Sequence, residues 1–253
     1  MRVARWRPEG GGMNVGDELN AYLWPKLLSP ATSTVSPDGM IYGIGTVLTA
    51  DLPPANPRIV LGAGLGYHRA PPVLDSTWKV YFVRGPHTAR ALGGVPYITD
   101  PGILVCLYFS KDLTPTHSVS FMPRWDSVCP ELEDGLKVAD IHFIDPRRPV
   151  ELVMADIAAT GLLLTEAFHG AVCADALRVP WVSIYANRGH EYKWHDWCGA
   201  MGMVWNPIDA EEFSLRWAAD YAVPQLSALS THTTKLAAVK EAIMRFNNDI
   251  EAA

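Results

Sequence analysis

The sequence predicts an α/β fold with two Rossmann-like domains facing a cleft, and three observations predict it. Short apolar runs alternate with stretches of helical periodicity along most of the 253 residues. Several of the predicted strands run directly into glycines, as in GIG at 43–45 and GAGLG at 62–66. The alternation also restarts near residues 114–116 (TPT), which indicates a boundary between two halves.

The first half is predicted to contain four strands and two helices. Pro86 suits the first turn of a helix, and Gly93 is a typical residue just after a helix end. The predicted strands are 3–6, 40–44, 58–61 and 79–83, and the predicted helices are about 18–28 and the short stretch between Pro86 and Gly93.

The second half alternates strand and helix more regularly. Its predicted strands are 119–122, 141–144, 162–165 and 182–184, and its predicted helices are about 130–137, 150–159 and 171–177. Two further helices, about 210–221 and 224–248, close the chain. We therefore expect domains at 1–115 and 116–207, with 208–253 packing back across both.

Composition excludes several classes of protein. With 49% hydrophobic residues the chain can bury a large core, and a formal net charge of −6 gives no basic field for a nucleic acid. The four cysteines form no CxxC pair, so neither a zinc site nor a disulfide framework is indicated. There is no signal-peptide pattern and no run of about 18 apolar residues, so we expect a cytoplasmic protein.

His169 is the strongest single candidate for chemistry. The run GLLLT at 161–165 is typical of a buried strand, and a helix is predicted soon after His169 and Gly170. A histidine between a strand end and a helix start lies where open α/β sheets bind ligands. It is a suitable proton donor there, although a lone histidine is more often structural.

The loop GGGMNVGDELN at 10–20 is the second candidate. Asn14, Gly16 and Asp17 precede a predicted helix, where they would supply a cap and free N–H groups for an anion. The alternative is a flexible connector.

Three cations are candidates for binding an anion. Arg84 follows a buried strand and would project into the cleft, where its guanidinium could bind an anion with two hydrogen bonds; the alternative is a salt bridge across the domain interface. Arg124 occupies the equivalent strand end in the second half; the alternative interpretation is that it is an exposed loop arginine with no role in binding. Lys193 could contact an anion or lie on a solvated helix face.

Glycines and tryptophans leave further alternatives open. The cluster GAGLG, which contains Gly64, lacks the context of a dinucleotide-binding motif, and close packing against a ligand or a facing strand explains it. The Trp-rich stretch 194–205 could stack on a sugar or pack the domain. His190 and His195 are five residues apart, so they do not share a helix face as a metal pair would.

Five motifs in order carry a resemblance to a known family. They are NVGDEL (14–19), the strand-end glycines, RGPHT (84–88), TDPG (99–102) and FHGAVCADALRVPWVSI (168–184). In this combination the chain resembles the polysaccharide pyruvyl transferase family, bacterial enzymes that attach pyruvate as a ketal to sugars of exported polysaccharides. Its length is similar to that of compact members associated with succinoglycan-type exopolysaccharides. The resemblance implies a two-domain fold like glycosyltransferase type B, phosphoenolpyruvate as donor, no cofactor and no metal.

The resemblance also implies roles for residues. His169 would protonate the methylene carbon of phosphoenolpyruvate, and Asp17 or Glu166 would accept protons from sugar hydroxyls. The helix dipole disfavours a protonated histidine at a helix N-terminus, so His169 is expected to become a competent acid only when the donor binds. Donor-binding candidates are Arg84, Arg124, Asn14, Gly16, Gly64, Gly170 and Lys193.

The chain departs from the family at one position. Many members carry S-x-R-x-HG, whereas this chain has TEAFHG, with Ala167 in place of the arginine. Arg124 is the first candidate to replace that cation. Two other hypotheses stay open. One is a nucleotide-sugar glycosyltransferase of the same architecture, and the other, because Ala167 removes a typical cation, is a non-catalytic homologue that binds a polysaccharide or a partner enzyme.

The expected partners are phosphoenolpyruvate and a sugar or lipid-linked oligosaccharide. A lipid-linked acceptor would bring the protein to the inner membrane as a peripheral protein. The predicted helix at 224–248 has an apolar face that is expected to pack across the two halves, with homodimerisation as the alternative.

Overall fold

The first main sheet of the computed structural model is parallel and contains four strands. The structure describes residues 1–6, 12–66, 69–185, 190–209, 216, 219–220 and 222–252. The sheet has the order β1-β2-β4-β6, and β3 and β5 pair separately as a small parallel sheet. The strands are β1 (Arg2–Val3), β2 (Met40–Tyr42), β3 (Thr46–Leu48), β4 (Arg58–Leu61), β5 (Gly64–Leu65) and β6 (Trp78–Phe82).

The second main sheet contains five strands, all paired in parallel. They are β7 (His117–Met122), β8 (His142–Phe143), β9 (Thr160–Thr165), β10 (Trp181–Tyr185) and β11 (Ile208–Asp209). Their order is β11-β10-β9-β7-β8. Parallel neighbours need a crossover connection, which is why helices separate most of these strands along the chain. The predicted α/β class with parallel sheets is therefore confirmed.

Eight helices and one 3-10 helix are found among the described residues. Proline occupies the first turn of three of these elements, where its missing N–H is not needed. No helix in the described ranges has both the length and the apolar character to cross a membrane. The helices are α1 (Val15–Leu27), α2 (Thr32–Val35), α3 (Pro86–Ala91), α4 (Pro130–Val138), α5 (Val150–Ala158), α6 (Phe168–Ala176), α7 (Glu191–Ala200) and α8 (Leu229–Glu251), and the 3-10 helix is Pro101–Leu107.

One hydrophobic core connects the two main sheets. It includes Leu61 of the first sheet, Leu163 of the second, and Phe246 of α8, which are all buried. The long last helix therefore packs into the core, as the apolar face of the predicted helix indicated.

Several predicted bounds differ from the structure for local reasons. α1 begins at Val15 rather than at 18, because the N–H groups of Asp17 and Glu18 already donate to the carbonyl of Asn14. α8 begins at Leu229 rather than at 224, because Gln225 exchanges two backbone hydrogen bonds with Trp181. The predicted helix at 210–221 lies mostly outside the described residues. The division into domains 1–115, 116–207 and 208–253 stays a prediction.

Candidate active site

His169 lies in the first turn of α6, directly after the carboxyl end of β9. Its side chain is 14% exposed. The imidazole packs against the backbone of Gly16 in the first turn of α1, so closely that a Cβ at Gly16 would overlap the ring. Two of the predicted site residues are therefore in contact, and two helix N-termini meet at one histidine.

Asp100 is the main site residue that the sequence reasoning missed. It is completely buried, and its Oδ2 lies 3.6 Å from Nε2 of His169. Its Oδ1 accepts the N–H of Gly102 at 2.9 Å and so caps the 3-10 helix. The signal in the sequence is the motif TDPG, which contributes to the family resemblance but does not by itself assign a role to its aspartate.

The charge of Asp100 is stabilised despite its burial. Burial alone would raise the pKa of this carboxyl, but the close approach of His169, the charge of Arg84 and the N–H of Gly102 together lower the pKa below its ordinary value. Asp100 is therefore an ionised carboxylate at neutral pH, facing the imidazole of His169.

Two glycines allow the 3-10 helix and β9 to approach α6 closely. A Cβ at Gly102 would lie 2.7 Å from Cγ1 of Val172, and a Cβ at Gly170 would lie 2.5 Å from Oγ1 of Thr165. Contacts this short are sterically excluded, so neither position accepts a larger residue without movement. Gly170, predicted as a donor-binding residue, thus also fixes α6 against the strand that precedes it.

Asp17 and Asn14 form a hydrogen-bonded pair beside His169. Nδ2 of Asn14 donates to Oδ2 of Asp17 at 2.6 Å. Burial raises the pKa of Asp17, and the charges of His169 and Lys193 together with the Asn14 hydrogen bond offset part of that rise. The structure therefore brings Asn14, Gly16, Asp17 and His169 together, and their roles in a site stay predictions.

Arg84 is enclosed rather than exposed to a cleft. Its side chain is 0% exposed, and Nε donates to Oδ2 of Asp196 at 3.3 Å. Nη1 donates to Oγ1 of Thr46 at 3.1 Å, whereas Nη2 is buried without a hydrogen-bond partner among the described residues. The alternative interpretation, a buried ion pair joining the two halves, is what the structure shows, and donor binding by Arg84 stays a prediction.

Gly64 and Phe168 enclose the guanidinium of Arg84. A Cβ at Gly64 would overlap the guanidinium, and the ring centroid of Phe168 lies 5.2 Å from Cζ. Gly64 is therefore needed where a side chain crosses the backbone, which fits the expectation of close packing at GAGLG.

The motif RGPHT docks onto α7 through one carboxylate. Oδ1 of Asp196 accepts the N–H groups of His87 and Thr88 at 2.9 and 3.0 Å, and Oδ2 accepts the Thr88 hydroxyl at 2.7 Å. A Cβ at Gly85 would overlap the backbone of Asp196. Together with Arg84, these contacts make Asp196 an anchor between the first half and α7 that the sequence did not indicate.

Lys193 lies on α7, three residues before Asp196. Its Nζ is 5.5 Å from the ring centroid of Phe168, and its charge acts on Asp17. Lys193 is thus placed near the residues that surround His169, with its stem and charge directed to the interior side of α7 rather than only to solvent.

Glu166 and Arg124 form a second group at the ends of β9 and β7. Oε2 of Glu166 accepts the backbone N–H of Arg124 at 3.2 Å. The guanidinium of Arg124 donates two hydrogen bonds to the carboxylate of Asp126, at 2.9 and 2.6 Å. Within the described ranges, its charge is thus engaged by Asp126, and its role as replacement for the arginine missing at Ala167 stays a prediction.

The tryptophans of the stretch 194–205 pack the interior. Trp194, Trp197 and Trp205 are 2%, 1% and 7% exposed, so of the two alternatives left open the structure shows the packing one. No group of three or more histidine, cysteine or carboxylate side chains suited to a metal occurs in the part of the chain that the structure describes.

Comparison with known proteins gives one informative match. No profile of a protein family matches the chain. The curated protein "Succinoglycan biosynthesis protein ExoV" of Rhizobium meliloti (strain 1021) is 36% identical over 214 residues, which cover 82% of this chain and 67% of that protein.

Proposed function

The chain belongs to the polysaccharide pyruvyl transferase family, and on that premise we propose that it transfers pyruvate from phosphoenolpyruvate to two sugar hydroxyls as a ketal. We propose succinoglycan-type exopolysaccharide as the product, because the relative is named for succinoglycan biosynthesis. The proposal includes two Rossmann-like domains arranged as in glycosyltransferase type B. The observation that carries the chemistry is His169 at two helix N-termini, with its Nε2 facing the buried carboxylate of Asp100.

The first step needs a proton donor at a carbon atom. Protonation of the methylene carbon turns the enol phosphate into a cation-like centre at C2, and one sugar hydroxyl then attacks that centre. The ordinary pKa of histidine lies closest to neutral among the side chains, so an imidazolium suits this step. Asp100 places a buried negative charge 3.6 Å from Nε2 of this ring.

The donor is a small, highly charged anion, and the site offers positive partners. The first turns of α1 and α6 meet at His169, and first-turn N–H groups of a helix can bind an anion. In α1 the N–H groups of Val15 and Asp17 already donate to the carbonyls of Pro146 and Asn14, so we assign this role mainly to α6. Lys193 adds a positive charge nearby. Nη2 of Arg84 is buried without a hydrogen-bond partner among the described residues, which costs about 1–3 kcal/mol of stability. An oxygen of phosphoenolpyruvate would accept its hydrogen bond.

The remaining steps need a base. Each of the two sugar hydroxyls loses a proton as it attacks, and inorganic phosphate leaves between the two attacks. Asp17 is the better candidate for the base, because its raised pKa brings it closer to neutral and it lies beside His169. Glu166, three residues before His169, is the alternative.

Asp100 modifies one expectation about the proton donor. The sequence suggested that only the bound donor could offset the helix dipole at His169. The structure adds a buried negative charge 3.6 Å from Nε2. We therefore propose that Asp100 and the donor phosphate act together on the ring.

The test is a reaction in deuterium oxide. The protein is incubated with phosphoenolpyruvate and oligosaccharides prepared from succinoglycan by mild acid, which removes ketals. We expect release of inorganic phosphate that depends on the oligosaccharide, and an acid-labile ketal whose methyl group carries solvent deuterium. Transfer of sugar from a nucleotide sugar, with no such product from phosphoenolpyruvate, would show instead a glycosyltransferase.

A further inference from the structure

Two tryptophans meet at the surface between the ends of the two main sheets. Trp6 follows β1 by three residues and Trp125 follows β7 by three residues. Their ring centroids are 5.5 Å apart and their planes are inclined at 54°. Trp6 is 46% exposed, and Trp125 is partly exposed. The rings are tilted rather than stacked, so neither covers the whole face of the other.

Each tryptophan is tied to one of the two candidate bases through a neighbouring residue. Arg5, next to Trp6, donates to Oε2 of Glu18 at 3.0 Å, and Glu18 is adjacent to Asp17. Arg124, next to Trp125, donates its backbone N–H to Glu166. The residues next to the two tryptophans thus bond to one candidate base, Glu166, and to Glu18, the sequence neighbour of the other candidate, Asp17.

Polar groups accompany the exposed rings. The carboxylate of Asp126 is 38% exposed and is held by the guanidinium of Arg124, so both side chains are fixed in position at the surface. An amphipathic ring beside fixed hydrogen-bonding groups is the combination that binds a sugar, whose C–H face is apolar and whose rim carries hydroxyls.

We propose that Trp6 and Trp125 form the binding surface for the acceptor sugar. This inference rests on the proposed function, in which a sugar is the acceptor of pyruvate. One ring stacks on the apolar face of a pyranose, and Arg124 and Asp126 bind hydroxyls at its rim. The sugar that receives the ketal then lies next to Asp17 or Glu166. The interior tryptophans of α7 have no part in this surface.

The test labels the tryptophans and measures acceptor binding directly. Protein carrying 5-fluorotryptophan is titrated with the ketal-free succinoglycan oligosaccharides, and Trp6→Phe and Trp125→Phe assign the two resonances. We expect the fluorine signals of Trp6 and Trp125 to shift when the oligosaccharides are added, whereas the signals of the buried tryptophans do not shift. The Trp6→Ala and Trp125→Ala variants should weaken oligosaccharide binding about tenfold each, the scale of one lost aromatic contact.

A matched control separates this role from general loss of surface area. Tyr97 is 44% exposed, similar to Trp6, and is not part of the proposed sugar-binding surface of Trp6 and Trp125. Tyr97→Ala should leave oligosaccharide binding unchanged. Thermal unfolding of all variants checks that they are folded, which is expected because the replaced rings are partly exposed.

The outcomes distinguish this inference from the proposed function. If the fluorine signals of Trp6 and Trp125 shift but phosphoenolpyruvate is not turned over, the sugar-binding surface is supported and the transferase assignment is contradicted. Unchanged affinity in both alanine variants, or fluorine shifts elsewhere only, would overturn the sugar surface while leaving pyruvyl transfer intact. No binding of the oligosaccharides by the unmodified protein would also overturn it.

Discussion

At the scale of single residues, the proposed chemistry depends on the close approach of Asp100 to His169. The two side chains come from the 3-10 helix and α6, and Gly102 brings these elements together. The carboxylate gives the ring a buried negative neighbour, which a histidine exposed to water would not have.

Replacing Asp100 tests this contact. Asp100→Asn keeps an oxygen for the N–H of Gly102 but removes the charge beside His169. We expect kcat for phosphate release to fall about 100-fold, the scale of a general-acid contribution, with a smaller change in KM for phosphoenolpyruvate. Asp75→Asn is the control, because Asp75 also accepts an N–H two residues on, from Thr77, but on the surface. Equal activity of the two variants would refute the role.

Gly16 provides a second test at this scale. A Cβ there would overlap the imidazole of His169, so Gly16→Ala should displace the ring and lower kcat by about 10-fold or more, since small displacements at a reacting centre are costly. Gly135→Ala in α4 is the control, because nothing lies within 4 Å of the added methyl group. That control should keep its activity and gain up to about 1 kcal/mol of stability. Full activity of Gly16→Ala would contradict the close approach.

At the scale of elements, Asp196 anchors α7 to the motif RGPHT. The carboxylate accepts two backbone N–H groups of α3, the Thr88 hydroxyl and the Arg84 guanidinium. The groups of Arg84, Thr88 and Asp196 are buried and the N–H of His87 is partly buried, and removing one partner leaves buried groups unsatisfied. The anchor also fixes the helix that carries Lys193.

The anchor predicts a large loss of stability. Asp196→Asn leaves the buried charge of Arg84 without its partner, which should lower the free energy of unfolding by about 3–5 kcal/mol in a denaturant titration. Asp134→Asn is the surface control, because Asp134 and Lys137 are 78% and 66% exposed, and it should change stability by at most about 1 kcal/mol. Similar values for both variants would show that the buried pair is not an anchor.

Much of this organisation was predictable from sequence. Apolar runs placed most strands of the two main sheets, because a buried parallel strand is apolar on both faces. The small sheet of β3 and β5 was not predicted, since strands of three and two residues have no readable period. The carboxylate neighbour of His169, Asp100, and the partner of Arg84, Asp196, were not predicted. Each lies far from its partner in sequence, and only tertiary packing brings them together.

At the scale of the whole molecule, a pair of histidines lies at the amino ends of two strands of the second sheet, whereas the candidate site lies at the carboxyl ends. His117 and His142 begin β7 and β8, and their rings stack with centroids 3.6 Å apart. Burial, and next the charge of His117, lower the pKa of His142, although Asp156 counteracts this. The stacked pair is therefore most stable when His142 is neutral.

The stability of the fold should depend on pH through His142. Its pKa in the folded state is below the unfolded value of about 6.5, so the unfolded chain binds the proton more readily. This contribution to stability is complete above that value and is lost as pH falls through it towards the folded pKa. His142→Gln should lose less stability than the unmodified protein between pH 7 and pH 5, by thermal unfolding. Parallel curves for the two proteins would contradict the assignment.

The central claim is that phosphoenolpyruvate binds beside His169, and calorimetric titration tests it most directly. The unmodified protein and the variants His169→Ala and Lys193→Ala are titrated with phosphoenolpyruvate, with uridine diphosphate as the competing ligand. Lys26→Ala is the matched control, because Lys26 also lies over an aromatic ring, that of Tyr22, away from the site. We expect phosphoenolpyruvate alone to bind, with affinity retained in Lys26→Ala and lowered about tenfold in Lys193→Ala. His169→Ala should also bind it more weakly, because a phosphate that stabilises the imidazolium is stabilised by it in return. Binding of uridine diphosphate without phosphoenolpyruvate would contradict the account.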